Sequence, residues 1–274
     1  MALSVNVNVP SVNAQRHLAD STLSLSKSME RLSSGLRINA ASDDAAGLAI
    51  ADRLRSDVRI ATQAIRNASD GISAISIGEK AIGKTGEILT RLSELASQAA
   101  SGLVADSQRS AIQEEFTALV SEIDRISNTT TFNGVSLLSA GTTVSLQVGL
   151  DGSSNSRIAF TTVDGTSSGI GLSGVAVSTA GAAQSALGSI TSAIATVASR
   201  RGTLGSVQSR LNTTIANLRV SAENFAAAES RIRDADIAEE TANLTRATIL
   251  QQAGVAVLVQ ANQQPSLALT LLRG

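Results

Sequence analysis

The stretch HLADSTLSLSKSMERLSSGL, His17–Leu36, decides the fold when it is set beside IAEETANLTRATILQQAGVAVLVQA, Ile237–Ala261. In the first, Leu18, Leu25, Met29, Leu32 and Leu36 fall on a seven-residue repeat with Thr22 at the missing position. That spacing holds an apolar seam on one side of a helix. In the second, Leu244, Ile249, Leu250, Val255, Val257, Leu258 and Val259 carry apolar surface around most of a helix. A helix that is apolar nearly all round needs cover on every side, more than one partner helix supplies. The two ends are therefore expected to pair as halves of one coiled coil. Leu18, Leu25, Met29, Leu32, Leu36, Leu244, Leu250, Val257 and Leu258 are its expected contact positions, and the remaining cover is expected from other molecules.

Working inward, the only prolines are Pro10 and Pro265, so no fixed φ interrupts the chain between them. A helix is expected over 43–100, capped by Ser42 with Asp43 and Asp44 at the positive end of its dipole. Its apolar stripe runs through Ile50, Leu54, Val58, Ile65, Ile72, Ile75, Ile82, Leu89, Leu92 and Leu95. Unbroken, it would extend roughly 80 Å at 1.5 Å per residue, although Gly78, Gly83 and Gly86 each weaken its second half by roughly 1 kcal/mol relative to Ala. A second helix over 105–128 carries Ile112, Phe116, Leu119, Ile123 and Ile126 and is expected to fold back on the first. Over 135–181 the composition shifts to Gly, Ser, Thr and Val, with alternating runs at 144–148 and 157–161 around Asp151-Gly152, the pattern of a β-hairpin with loops. A third long helix is expected over 183–232, with Ile190, Ile194, Val197, Leu204, Val207, Leu211, Ile215 and Leu218 on one face. Asp236 with Glu239 then restarts the helix through a capping box. The expected architecture is mainly α: a long antiparallel helical hairpin whose paired N- and C-terminal segments form a coiled coil, with a small β region at the centre of the chain.

Composition narrows function. Phe116, Phe132, Phe160 and Phe225 are the only aromatic residues and the net charge is −1, which argues against base stacking, phosphate-backbone contact and hence a nucleic-acid partner. With no cysteine there is no disulfide or thiolate site. His17 is the only histidine, which excludes a zinc triad, a His-Glu-x-x-His motif and a catalytic histidine pair. The carboxylates Asp43/Asp44 and Asp234/Asp236/Glu239/Glu240 are read as helix-start caps and not as a metal or acid–base pair, because each group precedes renewed apolar periodicity. The Gly165–Gly174 loop lacks the Gly-Lys-Ser/Thr ending of a phosphate loop. The N-terminus has neither a basic region nor a continuous apolar run, unlike a cleaved secretory signal, and no stretch is long and apolar enough to span a membrane. No enzyme activity, cofactor, metal or membrane partner is expected.

Leu32-Ser33-Ser34-Gly35-Leu36-Arg37-Ile38-Asn39, followed by Asp43-Asp44-Ala45-Ala46-Gly47-Leu48-Ala49-Ile50, resembles the N-terminal signature of bacterial flagellins. Ser230-Arg231-Ile232 with Asp234, Asp236 and Ala238, then Ile249-Leu250-Gln251-Gln252-Ala253 and Gln260-Ala261-Asn262-Gln263, resembles their C-terminal signature. Asp70-Gly71-Ile72-Ser73 and Phe132-Asn133-Gly134 match further family positions. The resemblance covers residues 1–135 and 185–274 and leaves only a short centre, so it implies a minimal flagellin without large central variable domains. It implies that 1–40 plus 235–274 form the inner core of a filament and 41–234 its outer core; the uncovered apolar stripes of the two ends lead to the separate expectation that 1–40 and 235–274 order only on assembly. The resemblance further implies an extracellular filament for swimming motility, built from other copies of the chain after unfolded export through the flagellar type III apparatus. A shift between two subunit packings would supply the supercoil of a propeller. The filament cap, the hook–filament junction and an export chaperone follow as partners. The alternative within the resemblance is a flagellin-like hook–filament junction protein.

The same resemblance points to a surface for the flagellin-sensing Toll-like receptor. Arg91, Leu95 and Gln98 occupy matching positions in and just after Leu89-Thr90-Arg91-Leu92-Ser93-Glu94-Leu95, as does Glu115 in Ile112-Gln113-Glu114-Glu115. Arg91 and Glu115 suit charged hydrogen bonds and Leu95 an apolar pocket. The alternative is that these residues serve packing between subunits.

Overall fold

A computed structural model of the chain describes residues 7–139 and 141–273, the stretch 264–273 through its helical backbone alone. The sequence expectations for residues 1–6 lie outside the described residues. Among the described residues there are five α-helices: α1 (Val9–Ser34), α2 (Ala45–Ala100), α3 (Asp106–Thr129), α4 (Ala180–Arg233) and α5 (Ile237–Arg273). Between α3 and α4 lie two antiparallel pairs, β1 (Thr131–Phe132) with β2 (Val135–Ser136) and β3 (Thr143–Gln147) with β4 (Arg157–Thr161). The fold is mainly α with a small central β region, as the sequence indicated. The chain divides into two compact units, one of Met1–Ser56 with Asn224–Gly274 and the other of Asp57–Glu223.

In the unit Asp57–Glu223, α2 runs antiparallel to α4 and α3 folds back along α2. Ile75, Ile82, Leu89, Leu92 and Leu95 of α2, Phe116 and Ile123 of α3, and Ile190 and Leu211 of α4 meet in one core, none more than 2% exposed. Each such side chain contributes roughly 1.5–3 kcal/mol by leaving water, which outweighs the helix propensity lost at Gly78, Gly83 and Gly86, and α2 continues through all three. One expectation on α4 is corrected. Ile194 is 39% exposed, and Ala193 takes the inward position, because the buried row steps from Ile190 to Ala193 to Val197.

The β3–β4 pair lies against the same core. Its register sets Val144 opposite Phe160 and Leu146 opposite Ile158, so Ile158 and Phe160 turn inward while their neighbours face out. Gly71 permits the approach, since a Cβ there would run into Leu146, and the Asn67 amide donates to the Gln147 carbonyl at 3.0 Å. The connection around Asp151-Gly152 is a wide loop and not a two-residue turn. The Asp151 carboxylate collects the Ser153 amide and the Ser153 and Ser156 hydroxyls. Sequence reading passed over the β1–β2 hairpin, although Asn133 (φ 48°) and Gly134 (φ 77°) supply the paired positive φ of a type I′ turn.

In the other unit, α1 ends at Gly35, whose φ of 71° is the left-handed value of a glycine C-cap, its amide reaching Arg31 O at 2.8 Å. The chain then forms a clasp. Arg37 N donates to Arg233 O at 2.6 Å, Ala235 N to Gly35 O at 3.0 Å, and the Arg37 guanidinium to Ile232 O at 2.7 Å. The expected cap of α2 is corrected here: the helix starts at Ala45, and Asp44, not Ser42, accepts the Gly47 amide at 2.8 Å. Asp43 faces the other way, accepting the Asn39 and Ala40 amides and pairing with Lys27 at 2.8 Å. With Lys27 as first cause and the two amides behind it, its carboxyl is held down at about 2.

Candidate assembly surface

The assembly candidates of the sequence sit on α1 and α5, which pack antiparallel. On α1 the covered positions are Ser11, Ala14, Leu18, Ser21, Leu25, Ser28 and Leu32. On α5 they are Glu240, Leu244, Ala247, Gln251, Gly254, Leu258 and Ala261. Both rows keep the three-and-four spacing of a coiled-coil seam. More than half of each row is small or polar, so the helices approach closely. A Cβ on Gly254 would stand only 3.5 Å from Leu18 Cδ1. Polar side chains fix the register at one end, where Asn8 caps α1 through the Ser11 amide and donates to Ala261 O at 2.9 Å, and the Ser11 hydroxyl reaches Asn262 at 2.8 Å. At the other end Arg31 stands 3.6 Å from Glu240, which is 7% exposed.

This seam divides the expected contact positions. Leu18, Leu25, Leu32, Leu244 and Leu258 lie in it half-covered, and Leu36, also half-covered, pairs in a β-bridge with Asp234 beyond the end of α1. Met29, Leu250 and Val257 do not belong to it: they are 55%, 52% and 57% exposed. The correction has a simple cause, because Ser21 and Ser28 take the seam positions that Thr22 and Met29 were expected to fill. Around the outside, Val9, Val12 and Leu23 on α1 and Ile249, Val255 and Val259 on α5 are also exposed. A groove of about 720 Å³ between the two helices is lined by His17, Ser24, Lys27 and Arg246 together with Leu250 and Val257. The terminal helices thus share their seam between small side chains and half-covered leucines and present many other large side chains outward.

Family models agree with this layout. The bacterial flagellin N-terminal helical region matches residues 5–143, and the bacterial flagellin C-terminal helical region matches residues 187–272. The chain belongs to the bacterial flagellin family. It is 44% identical to a flagellin of Halalkalibacterium halodurans, across 98% of this chain and 99% of that one. It is 38% identical to a flagellin of Bacillus subtilis, across 99% and 100%, and 37% identical to flagellin FlaB1 of Treponema pallidum, across 98% and 99%. A crystal structure of Bacillus cereus flagellin superposes with a TM-score of 0.51 at 27% identity, covering 60% of this chain and 94% of that one. A putative flagellar hook-associated protein of Vibrio parahaemolyticus superposes at 0.59 over 70% of this chain and 100% of that one, but at 14% identity the likeness is one of fold. This short flagellin is a structural subunit of the extracellular flagellar filament, which is built from copies of itself, and it is not an enzyme. Nothing supports the junction-protein alternative.

In this flagellin the four positions proposed for receptor contact separate as well. Arg91 donates to Glu115 at 2.8 and 3.1 Å and to Glu94 at 2.9 Å. Its guanidinium, held by Glu94 first and Glu115 second, is raised above its ordinary range. Arg91, Gln98 and Glu115 are exposed, whereas Leu95 is 2% exposed and lies in the core. Leu95 is therefore corrected from a surface contact to a packing residue, as its place in the α2 stripe already implied. Of the acidic groups singled out in the sequence, Asp44 and Asp236 serve as caps and Asp43 and Glu240 as ion-pair partners of Lys27 and Arg31. Asp236 accepts the Ala238 and Glu239 amides at 2.8 and 3.2 Å, and among the described residues no cluster of three or more His, Cys, Asp or Glu could hold a metal. Among the described residues no helix is long and apolar enough to cross a membrane. The sequence reading missed Asn8, Ser11, Ala14, Ala247 and Gly254, small or polar residues that hydropathy does not mark. Their three-and-four spacing was the available signal.

Proposed function

We propose that this flagellin assembles through its terminal helices, with residues 1–40 and 235–274 as the inner core of the filament and 41–234 as the outer core. The observation that carries the reading is the outward display of Met29, Ile249, Leu250, Val255, Val257 and Val259 on a helix pair whose own seam is already filled by small residues and half-covered leucines. Large apolar side chains exposed in such number on one helix pair mark a surface that another protein covers, and a contact that joins different patches without closing generates a helical polymer. On this reading α1 and α5 gain much of their order on assembly. Family membership supports unfolded export by the type III apparatus, with an export chaperone, the filament cap and the hook–filament junction as partners.

Receptor recognition is the finer part of the proposal. Arg91, Gln98 and Glu115 would form a polar face for the flagellin-sensing Toll-like receptor, seated over the packed Leu95. The monomer is expected to activate a receptor reporter, and a combined Arg91→Ala, Gln98→Ala, Glu115→Ala variant is expected to lose that activity. An undiminished response would remove the face. Assembly itself is tested by electron microscopy of the full-length chain mixed with short filament seeds. Long tubes are expected from the intact chain and none from chains trimmed at both termini. Elongation by trimmed chains would overturn the role given to α1 and α5.

A further inference from the structure

The turn between β1 and β2 carries Asn133-Gly134, the one Asn-Gly step in the sequence. Both residues are exposed, and both hold a positive φ, 48° and 77°. A two-residue hairpin of this kind pairs the residues on either side of the turn, here Phe132 with Val135, and leaves the amide between the two central residues outside the ladder. Among the described residues the Gly134 amide donates no hydrogen bond and the Asn133 carboxamide makes none. Gly134 also stands in open space, where an added Cβ would meet nothing within 4 Å. A backbone nitrogen and a side-chain amide carbon of adjoining residues, both unengaged, are the two reactants of a succinimide ring closure held in one molecule.

The Asp-Gly steps and the Asn155-Ser156 step are each blocked at one reactant. Asp70-Gly71 lies inside α2, where the Gly71 amide belongs to the helix ladder. Gly165 is buried and its amide donates to Leu138 O at 2.8 Å, while the Asp164 carboxylate before it accepts the Thr166 amide and hydroxyl at 3.1 and 2.6 Å. Asp151, before Gly152, is held ionised, its carboxyl lowered by Ser156 first and Ser153 second, and a carboxylate resists attack by a nucleophile. Asn155 precedes Ser156, whose amide donates to Ser153 O at 3.2 Å. Behind Asn133-Gly134, by contrast, the ladder is only two residue pairs, Thr131 with Ser136 and Phe132 with Val135. The rotation that brings the Gly134 nitrogen onto the Asn133 side chain therefore disturbs little.

We propose that Asn133 is a site of spontaneous covalent modification, converting to aspartate and isoaspartate in the folded chain with water as co-reactant. The Gly134 nitrogen gives up its proton to solvent base and attacks Asn133 Cγ. The N–Cγ bond forms, the Cγ–Nδ2 bond breaks, and ammonia leaves with a proton returned from solvent. Water then opens the succinimide. Breaking N–Cγ gives aspartate, and breaking the bond from that nitrogen to the Asn133 main-chain carbonyl carbon gives isoaspartate; no group is oxidised or reduced. Either product adds one negative charge to a chain of net charge −1. Aspartate suits the same turn, whereas isoaspartate inserts an extra backbone carbon and ends the Phe132–Val135 pairing. Leu138, 0% exposed, anchors the chain in the core just beyond the hairpin, so the change stays at the turn. The proposal does not depend on the assembly reading above.

The test keeps the folded full-length chain in mildly alkaline buffer and follows it by isoelectric focusing, ammonia assay and peptide mapping. A single acidic charge shift per chain is expected, with ammonia released in step and Asn133 lost at least about tenfold faster than Asn155. The shifted chain is also expected to accept a labelled methyl group from S-adenosylmethionine through an isoaspartyl methyltransferase. Asn133→Gln is expected to remove both the shift and the label. Asn133→Asp is expected to focus with the shifted wild type and keep the circular-dichroism spectrum of the unmodified chain. A wild-type chain that keeps its charge, a conversion that begins at another asparagine, or one that reaches Asn133 only after denaturant has unfolded the protein would each overturn the proposal.

Discussion

The unit Asp57–Glu223 and the α1–α5 pair use the same helical spacing for opposite ends. In the first, leucine, isoleucine, valine and phenylalanine share the inward rows with fully buried alanines such as Ala68, Ala96 and Ala193, and Gly83 and Gly86 lie along an open groove. In the second, alanine, serine and glycine share the inward rows with half-covered leucines, and Leu23, Met29, Ile249, Leu250, Val255, Val257 and Val259 face out. One region buries its large side chains within the chain, while the other leaves much of its apolar surface exposed, the surface proposed above for association. If the termini drive polymerisation as proposed, a fully self-satisfied terminal pair would leave nothing to drive it.

The sharpest way to break the comparison is to empty the first core. Phe116→Ala removes a side chain that is 0% exposed and is expected to cost about 3–5 kcal/mol in denaturant unfolding of the monomer. A cost below about 1 kcal/mol would mean that this unit is not the stable half. The mirror-image change lies on α5. Leu250→Ser is expected to alter monomer unfolding by less than about 0.5 kcal/mol, yet to raise the critical concentration for seeded growth about tenfold to a hundredfold, the equivalent of about 1.5–3 kcal/mol of burial. If Leu250→Ser destabilised the monomer and left growth alone, the outward face would belong to the monomer and the contrast would fail.

How far the sequence could be read follows the same division. Large side chains announce themselves, so the α2 stripe from Leu54 onward, the inward faces of α3 and α4 and the two strands of the β3–β4 pair were legible as periodicity. Ile50, expected at the head of the stripe, is instead 54% exposed and Ala51 is buried in its place. The seam of α1 was not legible, because Ser21 and Ser28 carry no hydropathy signal and the eye passes to Met29, one residue on and across the helix. Ala193 was missed beside Ile194 for the same reason. Leu95 shows a different failure: its stripe position and its family resemblance gave conflicting readings, and burial decided for the stripe. Capping by Asp44 in place of Ser42 turned on the competition for Asp43, whose carboxylate is taken by Lys27 and two amides of the preceding loop.

Smaller effects test the joint between helix and clasp. Gly35→Ala forces a side chain into a φ of 71° and is expected to cost about 1–2 kcal/mol, read as lost amide protection in the last turn of α1 and at Ala235, whose amide donates to Gly35 O. Unchanged protection at both places would show that the left-handed cap does not hold the clasp.

The smallest effect is one of pH, and its sign can be worked out. Asp43 has its carboxyl lowered from 3.8 to about 2 by Lys27 first and by the Ala40 and Asn39 amides after it. A depressed carboxyl stabilises the fold fully above its ordinary value, and that contribution is lost as pH falls through about 2. Protection of the Asn39 and Ala40 amides, which donate to Asp43 at 3.2 and 3.3 Å, is therefore expected to be steady down to pH 4 and to decline between pH 4 and 2. In Asp43→Asn that decline should vanish, leaving both amides weakly protected at every pH. The lowered carboxyls of the other unit, Glu122 beside Arg125 and Asp151 beside Ser156, act within one helix and one loop, so the apolar core around Phe116 should keep its protection across the same window. Loss of that core protection in step with Asn39 and Ala40 would mean that acid unfolds the chain as one body, and the division between a self-satisfied unit and a polar-clasped one would not survive it.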